Sequence, residues 1–247
     1  EMGVTLPPSI ALDRFQDHPS TEDRIQSLRA EQGSSTAYLQ YTSGSTTRPR
    51  GVMISHGNVL AQCHGLTAST SVGSGSRSLC WLPYFHDYGL VHGIIGPFYS
   101  GIPAFLMSPV TFLRRPLRWL EAIDRWKISH SGAPNFAYEA CVRAAGKRPD
   151  WGAELSSWAV ASCGAEPIRS STIEQFTELF APHGFKRTAL MPAYGLAEAT
   201  LVVTSAQVDE APLILPVAAV RLEIGRVEVK GMKACRDKSV RRLVGCG

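Results

Sequence analysis

Hydrophobic and polar positions fall into short apolar or alternating runs, each followed by a turn rich in glycine or hydroxyl residues and then by a stretch of helical periodicity. Ala37 to Thr42 alternates in a β-rich run and predicts a strand. Past the next turn, Gly51–Ile54 is apolar again, and Ser55 is placed to cap a helix through Val59, Leu60 and Cys63. Further strands are predicted over Leu79–Leu82, Ile102–Met107, Lys127–Ser131, Trp158–Ser162 and Thr188–Met191. Leu117, Leu120 and Ile123 mark one face of a helix from Arg114 to Trp126. Another helix passes through Phe136, Tyr138 and Cys141. A third carries Ile173, Phe176, Leu179 and Phe180, capped by Ser170 or Ser171 and closed by Gly184. Repetition of strand, loop and helix predicts an α/β layered domain with a mostly parallel sheet, whose ligands sit beyond the strands' carboxyl ends. Four polar or glycine-containing loops, residues 41 to 51, 83 to 89, 163 to 167 and 192 to 198, are then expected at one sheet edge.

Composition adds a frame. The 247 residues are 44% hydrophobic, enough for an ordinary buried core. Six cysteines include no C-x-x-C pair, which argues against a disulfide framework or a zinc site and for reduced thiols in a cytoplasmic protein. The apolar run from Tyr88 to Val110 nearly reaches membrane-spanning length, but its glycines, its prolines and His92 would break a lipid-exposed helix, so a buried helix, turn and strand are expected and no membrane span. The net charge of +4 is concentrated between Arg221 and Arg242, where eight cations face three acids. That excess reads as a solvated face or as a docking surface for an acidic partner. Few aromatics interleave with it, so no nucleic-acid partner is expected.

The chemistry concentrates in Tyr41–Val52. Thr42, Ser43, Ser45 and Thr46 supply hydroxyls, Gly44 lets the backbone approach a ligand closely, and Arg48 and Arg50 offset charge, a composition suited to phosphate. An exposed polar turn has the same composition, so the flanking motifs must decide. A P-loop is excluded by spacing, since Gly44 and Gly51 are seven apart and Val52 follows. Gly73-Ser74-Gly75 lacks the third glycine and the following helix of a dinucleotide fingerprint. No G-x-S-x-G elbow is present, which leaves a serine hydrolase unsupported. His86 and Asp87, among aromatics at a strand end, admit catalytic, pocket-lining and core readings, and taken alone the core reading is favoured.

Three motifs in order, Tyr-Thr-Ser-Gly-Ser-Thr from Tyr41, Gly-Ala-Glu-Pro at Gly164–Pro167 and Tyr-Gly-Leu-Ala-Glu at Tyr194–Glu198, resemble the adenylate-forming superfamily of acyl-CoA synthetases, peptide-synthetase adenylation domains and luciferases. Trp81–Gly89, Met107–Pro109, Arg115–Leu120 and Gly132–Tyr138 look most like fatty acyl-AMP ligases within it. The resemblance implies the large-domain α/β core over residues 36–204, a connecting segment over 1–35, a basic ligase-type insertion over 205–240, and the start of a further subdomain over 241–247. It implies ATP and Mg²⁺ as cofactors, a fatty acid as substrate, and an acyl carrier protein's phosphopantetheine or CoA as acceptor, in lipid or polyketide biosynthesis. By the same resemblance Thr42, Ser43, Gly44, Ser45 and Thr46 hold the triphosphate. Gly164, Ala165, Glu166 and Pro167 border the adenine, with Tyr194 stacked on it beside Gly195. Glu198 and Thr46 serve catalysis and hold the metal, while His86, Gly132 and Pro134 approach the acyl group, and the apolar run after His86 lines an alkyl channel. The chain departs from the family at Thr47, usually Gly, and at Arg50, usually Lys; Arg keeps the charge but presents a planar fork.

The family's ribose-binding motif and its C-terminal domain with a catalytic lysine are expected beyond Gly247, so the isolated chain is expected to be a poor catalyst. The remaining readings are an acyl-CoA synthetase fragment and a non-catalytic fragment that binds nucleotide or a partner.

Overall fold

The computed structural model describes residues 33–42, 50–148, 150–231 and 239–247. The connecting segment expected at the start of the chain lies almost wholly outside these residues, as do Ser43, Gly44, Ser45 and Thr46 of the hydroxyl-rich turn.

Strands β1 (Thr36–Thr42) and β2 (Arg50–Ser55) form an antiparallel hairpin that sets Tyr41 opposite Gly51. Ser55 then caps α1 (His56–Ser69), its Oγ accepting from the Asn58 N–H at 3.1 Å while the Asn58 side chain accepts from the Ser55 N–H at 3.0 Å. This reciprocal pair satisfies two of the donors that a helix start leaves open.

The central sheet contains β3 (Ser78–Cys80), β4 (Ala104–Leu106), β5 (His130–Ala133), β6 (Val160–Cys163), β7 (Leu190–Gly195) and β8 (Val202–Ser205), in the spatial order β4-β3-β5-β6-β7-β8. Every pairing is parallel except β7 with β8. This is the layered α/β architecture that the alternation of strands and helices predicts.

Several boundaries differ from the periodicity, each for a local reason. The helix expected over Arg114–Trp126 is two, α3 (Pro109–Arg114) and α4 (Leu117–Trp126), once the short α2 (Gly96–Ser100) has been passed. Pro116 lacks an N–H and its ring excludes the preceding turn, so the helix restarts there. Lys127 closes α4 in a left-handed conformation at φ 47°, which delays β5 to His130. A tight turn over Arg187–Ala189 likewise delays β7, and Tyr194 and Gly195 therefore lie within a strand rather than a loop. Helix α5 (Asn135–Ala145) precedes α6 (Ser170–Phe180). No serine side chain caps α6; the Arg169 N–H donates instead to Asn135 Oδ1 at 3.0 Å.

Alternation along the strands separates two layers. Ser131, Ala133, Ala161, Cys163 and Leu190 face α4, α5 and α6, where the main core lies. Its centre is Trp119, fully buried, whose ring meets Trp158 at 5.1 Å, Tyr138 at 5.4 Å, Phe112 at 5.9 Å and Trp81 at 6.0 Å. Its Nε1 donates to Ser131 Oγ at 2.8 Å, so the indole is buried with its polar atom paired. The opposite face receives α1 and a π-helical segment, Tyr88–Ile95, around a smaller cluster of Cys63, Tyr88, Val91 and Leu201.

That segment sits unusually close to the sheet. A Cβ at Gly89 would stand 2.1 Å from the Pro83 carbonyl oxygen, and one at Gly93 would stand 2.3 Å from Cys80 Sγ. Only glycine permits this approach. Of the run from Tyr88 to Val110, expected to line a channel, Tyr88 and His92 border the large cavity, whereas Val91 and Pro97 are buried and Phe98, Leu106 and Val110 are exposed away from its lining.

Strands β9 (Ile214–Ala218) and β10 (Val240–Val244) form a separate antiparallel ribbon, with α7 (Ala219–Glu223) between them. The boundary expected after residue 240 falls inside β10. Of the eight cations in this region, Arg221 and Lys230 pair with Glu228, Arg241 with Glu223, and Arg242 with Glu174 of α6. Lys233, Arg236 and Lys238 lie outside the described residues. The positive balance is thus partly spent on neighbouring acids. Among the described residues the cysteines are free thiols, and no helix is long and apolar enough to cross a membrane.

Candidate active site

A cavity of about 590 Å³ opens between the carboxyl ends of β6 and β7, the π-helical segment and the β1–β2 hairpin. All four loops expected at the sheet edge contribute to it: Tyr41, His86, Ala165 and Glu198 each line its wall.

Gly164 follows β6 directly, and a Cβ there would meet the Ala193 carbonyl at 2.8 Å, so the β6 and β7 termini lie side by side. Ala165 takes a left-handed φ of 65° and Thr200 one of 72°. Such conformations cost about 1 kcal/mol or more for a residue with a Cβ, and here they flank the two turns that border the cavity. Tyr194 is held by pairing with Thr204 of β8, yet its side chain stays 56% exposed at the cavity mouth. Gly195 has no alternative, because a Cβ would fall 1.9 Å from the Leu201 carbonyl oxygen. Glu198 stands exposed on the turn Ala197–Ala199, which the buried Ala197 and Thr200 anchor on either side.

His86 is exposed at the mouth, which replaces the core reading of this residue. Its Nδ1 lies 2.7 Å from Asp87 Oδ1, and that hydrogen bond raises the imidazole pKa above its ordinary value, against a smaller lowering by burial. Asp87 also accepts from the Tyr88 N–H at 2.6 Å and so starts the π-helical segment. Gln40 Nε2 donates to the Phe85 carbonyl at 3.2 Å, clamping this loop to β1.

Sequence reasoning missed the inner wall. Tyr88 O–H, Ser162 Oγ and His92 Nε2 form a linked cluster, with Tyr88 to Ser162 at 2.7 Å and His92 to Ser162 at 3.0 Å. Burial raises the Tyr88 pKa, and burial together with nearby His130 lowers that of His92 to about 4. Met191 completes this wall from β7. Strands buried on both faces give near-continuous apolar runs, so periodicity could not assign Ser162 or Met191 to a cavity.

Several expected residues do not line the cavity. Gly132 lies beneath the wall, where a Cβ would come 1.8 Å from Ser162 Oγ and 2.4 Å from the Tyr88 hydroxyl, and Pro134 precedes α5. Pro167 is also absent from the lining. The Glu166 carboxylate accepts from the Phe136 N–H at 2.6 Å, which satisfies an open donor at the start of α5. The side chain of Thr42 is not described, although its backbone ends β1 next to Tyr41.

The His92 environment carries a pH consequence. Its folded pKa lies below the unfolded value near 6.5, so the unfolded chain takes up a proton that the folded one refuses between about pH 6.5 and 4. Stability is complete above that window and falls as pH drops through it, by roughly 2–3 kcal/mol between pH 7 and 4.5 from this group. Denaturant unfolding of the unaltered chain and of His92→Gln at both pH values checks it: the variant is expected to lose less stability on acidification, and parallel losses would refute the assignment.

Residues 6–231 match the AMP-binding enzyme family. The medium-chain-fatty-acid–[acyl-carrier-protein] ligase JamA of Moorena producens is 49% identical over 211 residues, which cover 85% of this chain and 36% of the relative. The 4-hydroxyphenylalkanoate adenylyltransferase of Mycobacterium tuberculosis is 39% identical over 230 residues, 92% of this chain and 36% of the relative. Among solved structures, the fatty acyl-adenylate ligase of L. pneumophila in complex with acyl adenylate and pyrophosphate superposes with a TM-score of 0.84 at 38% identity, covering 97% of this chain and 41% of that one. The chain spans about a third of the length of the curated relatives it matches. With its parallel sheet, its cavity at the strands' carboxyl ends and these matches along most of its length, the chain belongs to the AMP-binding enzyme family and has fatty acyl-AMP ligases among its homologues.

Proposed function

We propose that the protein containing this chain activates a fatty acid with ATP and passes the acyl group to the phosphopantetheine thiol of an acyl carrier protein. In the first step a carboxylate oxygen attacks the α-phosphorus and the bond to the β-phosphate oxygen breaks, giving acyl-adenylate and pyrophosphate. In the second the thiol attacks the acyl carbonyl and AMP leaves.

The observation that carries this reading is a cavity at the carboxyl ends of β6 and β7 that combines exposed polar groups, His86, Tyr194 and Glu198, with apolar walls. Tyr194, Gly164 and Ala165 border it, and Leu66, Met191, Leu201 and Val202 supply apolar lining beside Tyr88. The exposed Tyr194 ring offers the adenine a stacking face, and the Gly164–Ala165 backbone approaches its edge. Ser43–Thr46 and Thr42 take the triphosphate in this reading. His86 adds positive charge near the reacting carboxylate when protonated, which its bond to Asp87 favours.

Glu198 fits Mg²⁺ chemically. Among the described residues no group of three acidic, histidine or cysteine side chains forms a cage, and Mg²⁺ is ordinarily held by one or two carboxylates plus substrate phosphates. A bound Mg²⁺ would neutralise phosphate charge; Glu198, with Thr46, is the group that would hold it. Residues 205–240 are assigned to the ligase-type insertion on the same reading. The acceptor follows JamA, a carrier-protein ligase by name.

ATP–pyrophosphate exchange by the full-length protein tests the first step. Fatty acids are expected to stimulate exchange, and an absence of stimulation by any of them would refute the proposal. Acyl transfer to carrier protein against CoA then separates the acceptors. Tyr194→Ala is expected to weaken ATP binding by about tenfold, in line with the loss of one base–aromatic stack, and Tyr194→Phe to preserve it. Equal affinity in the alanine variant would remove Tyr194 from the nucleotide site.

A further inference from the structure

Behind the inner wall lies a second, much smaller pocket of about 30 Å³, bordered by Thr67, Ser78, Ser100 and His130. Leu66, Thr70 and His92 line both this pocket and the large cavity. They form the partition between them.

The partition is firmly built on the His92 side. Gly89 and Gly93 seat the π-helical segment against the backbone of Pro83 and the side chain of Cys80, so the segment cannot move toward the sheet. The Tyr88 and His92 rings stack at 5.3 Å and 12°, and both bond to Ser162. The Tyr88 hydroxyl, Ser162 Oγ and His92 Nε2 are engaged with one another. A ligand end that met it would gain little from being polar, since any new hydrogen bond would have to break one already made. A methyl terminus, by contrast, needs only a closed surface.

Resting on the functional reading above, we propose that His92 is a specificity-determining residue: its ring, with Leu66 and Thr70, is the end stop of the acyl site and sets the longest chain accepted. The small pocket is separated from the cavity by this ring together with Leu66 and Thr70, and becomes available when the ring is removed.

The test is ATP–pyrophosphate exchange by the full-length protein with straight-chain saturated acids stepped by two carbons. The unaltered protein should show a sharp upper limit. His92→Ala should extend it, raising kcat/KM by about tenfold for the first acid beyond the limit, the scale of one or two added methylenes in a hydrophobic site. His92→Gln, which refills the space, should restore the native limit. Leu66→Ala opens the same partition from α1 and should shift the limit in the same direction, which keeps the test intact if His92→Ala does not fold. An unchanged limit in a folded His92→Ala or in Leu66→Ala overturns the end stop while leaving the functional reading standing. Failure of every acid to support exchange in the unaltered protein overturns both.

Discussion

Trp119→Ala is expected to destabilise the domain by about 4 kcal/mol, the middle of the range for removing a large buried aromatic. The ring is fully buried among Trp81, Phe112, Tyr138 and Trp158, and four aromatic neighbours fixed by their own packing cannot collapse into the space. Loss of the Nε1 donor adds little. Ser131 Oγ keeps its bond to the Leu79 carbonyl at 2.6 Å and is not orphaned. Domain stabilities are commonly about 5–15 kcal/mol, so this one change consumes a large share. Urea unfolding with an unchanged dependence on denaturant measures it, and a loss below about 1 kcal/mol would show that the cluster repacks. Trp119→Phe should recover part of the deficit by refilling the centre.

The second large effect is on chemistry. Glu198→Gln is expected to slow fatty-acid-dependent ATP–pyrophosphate exchange by about a hundredfold or more, the scale seen when a group that stabilises developing charge is removed. The side chain is exposed, and its turn is anchored by Ala197 and Thr200 rather than by the carboxylate. Folding should therefore be unaffected. Added Mg²⁺ should rescue part of the rate if the carboxylate serves the metal. Exchange within twofold of the unaltered protein would exclude Glu198 from the reaction.

Much of the architecture was legible from the chain because parallel α/β units write themselves as alternating runs. Ser55 and its helix, the helical face of Leu117, Leu120 and Ile123, and the convergence of four loops all follow from local periodicity and turn chemistry. The starts of β5 and β7 were not legible. Lys127 in a left-handed turn and the Arg187–Ala189 turn consume residues whose side chains look like strand. Part of the cavity lining was legible, since Gly164, Ala165, Tyr194 and Glu198 carry distinctive residue types. The site was hidden at its inner end, because Tyr88 and His92 meet Ser162 through hydrogen bonds that the fold closes across 70 or more positions of sequence. The packing part played by Gly132 was not legible either: it leaves space for Ser162 and Tyr88, and an absent side chain has no chemical signature.

The two layers on either side of the sheet make different kinds of sequence change tolerable. Ala161 and Ser162 are consecutive, yet the first belongs to the aromatic layer and the second to the cavity wall. Leu190 and Met191 divide in the same way. Point substitutions at Ser162 or Met191 can thus remodel ligand choice with the aromatic layer untouched. A single inserted or deleted residue in β6 or β7 would instead exchange the two sets at once, sending core side chains into the cavity and cavity side chains into the core. Diversification of ligand choice on this fold is accordingly confined to replacement within the strands, with changes of length left to the loops that join them.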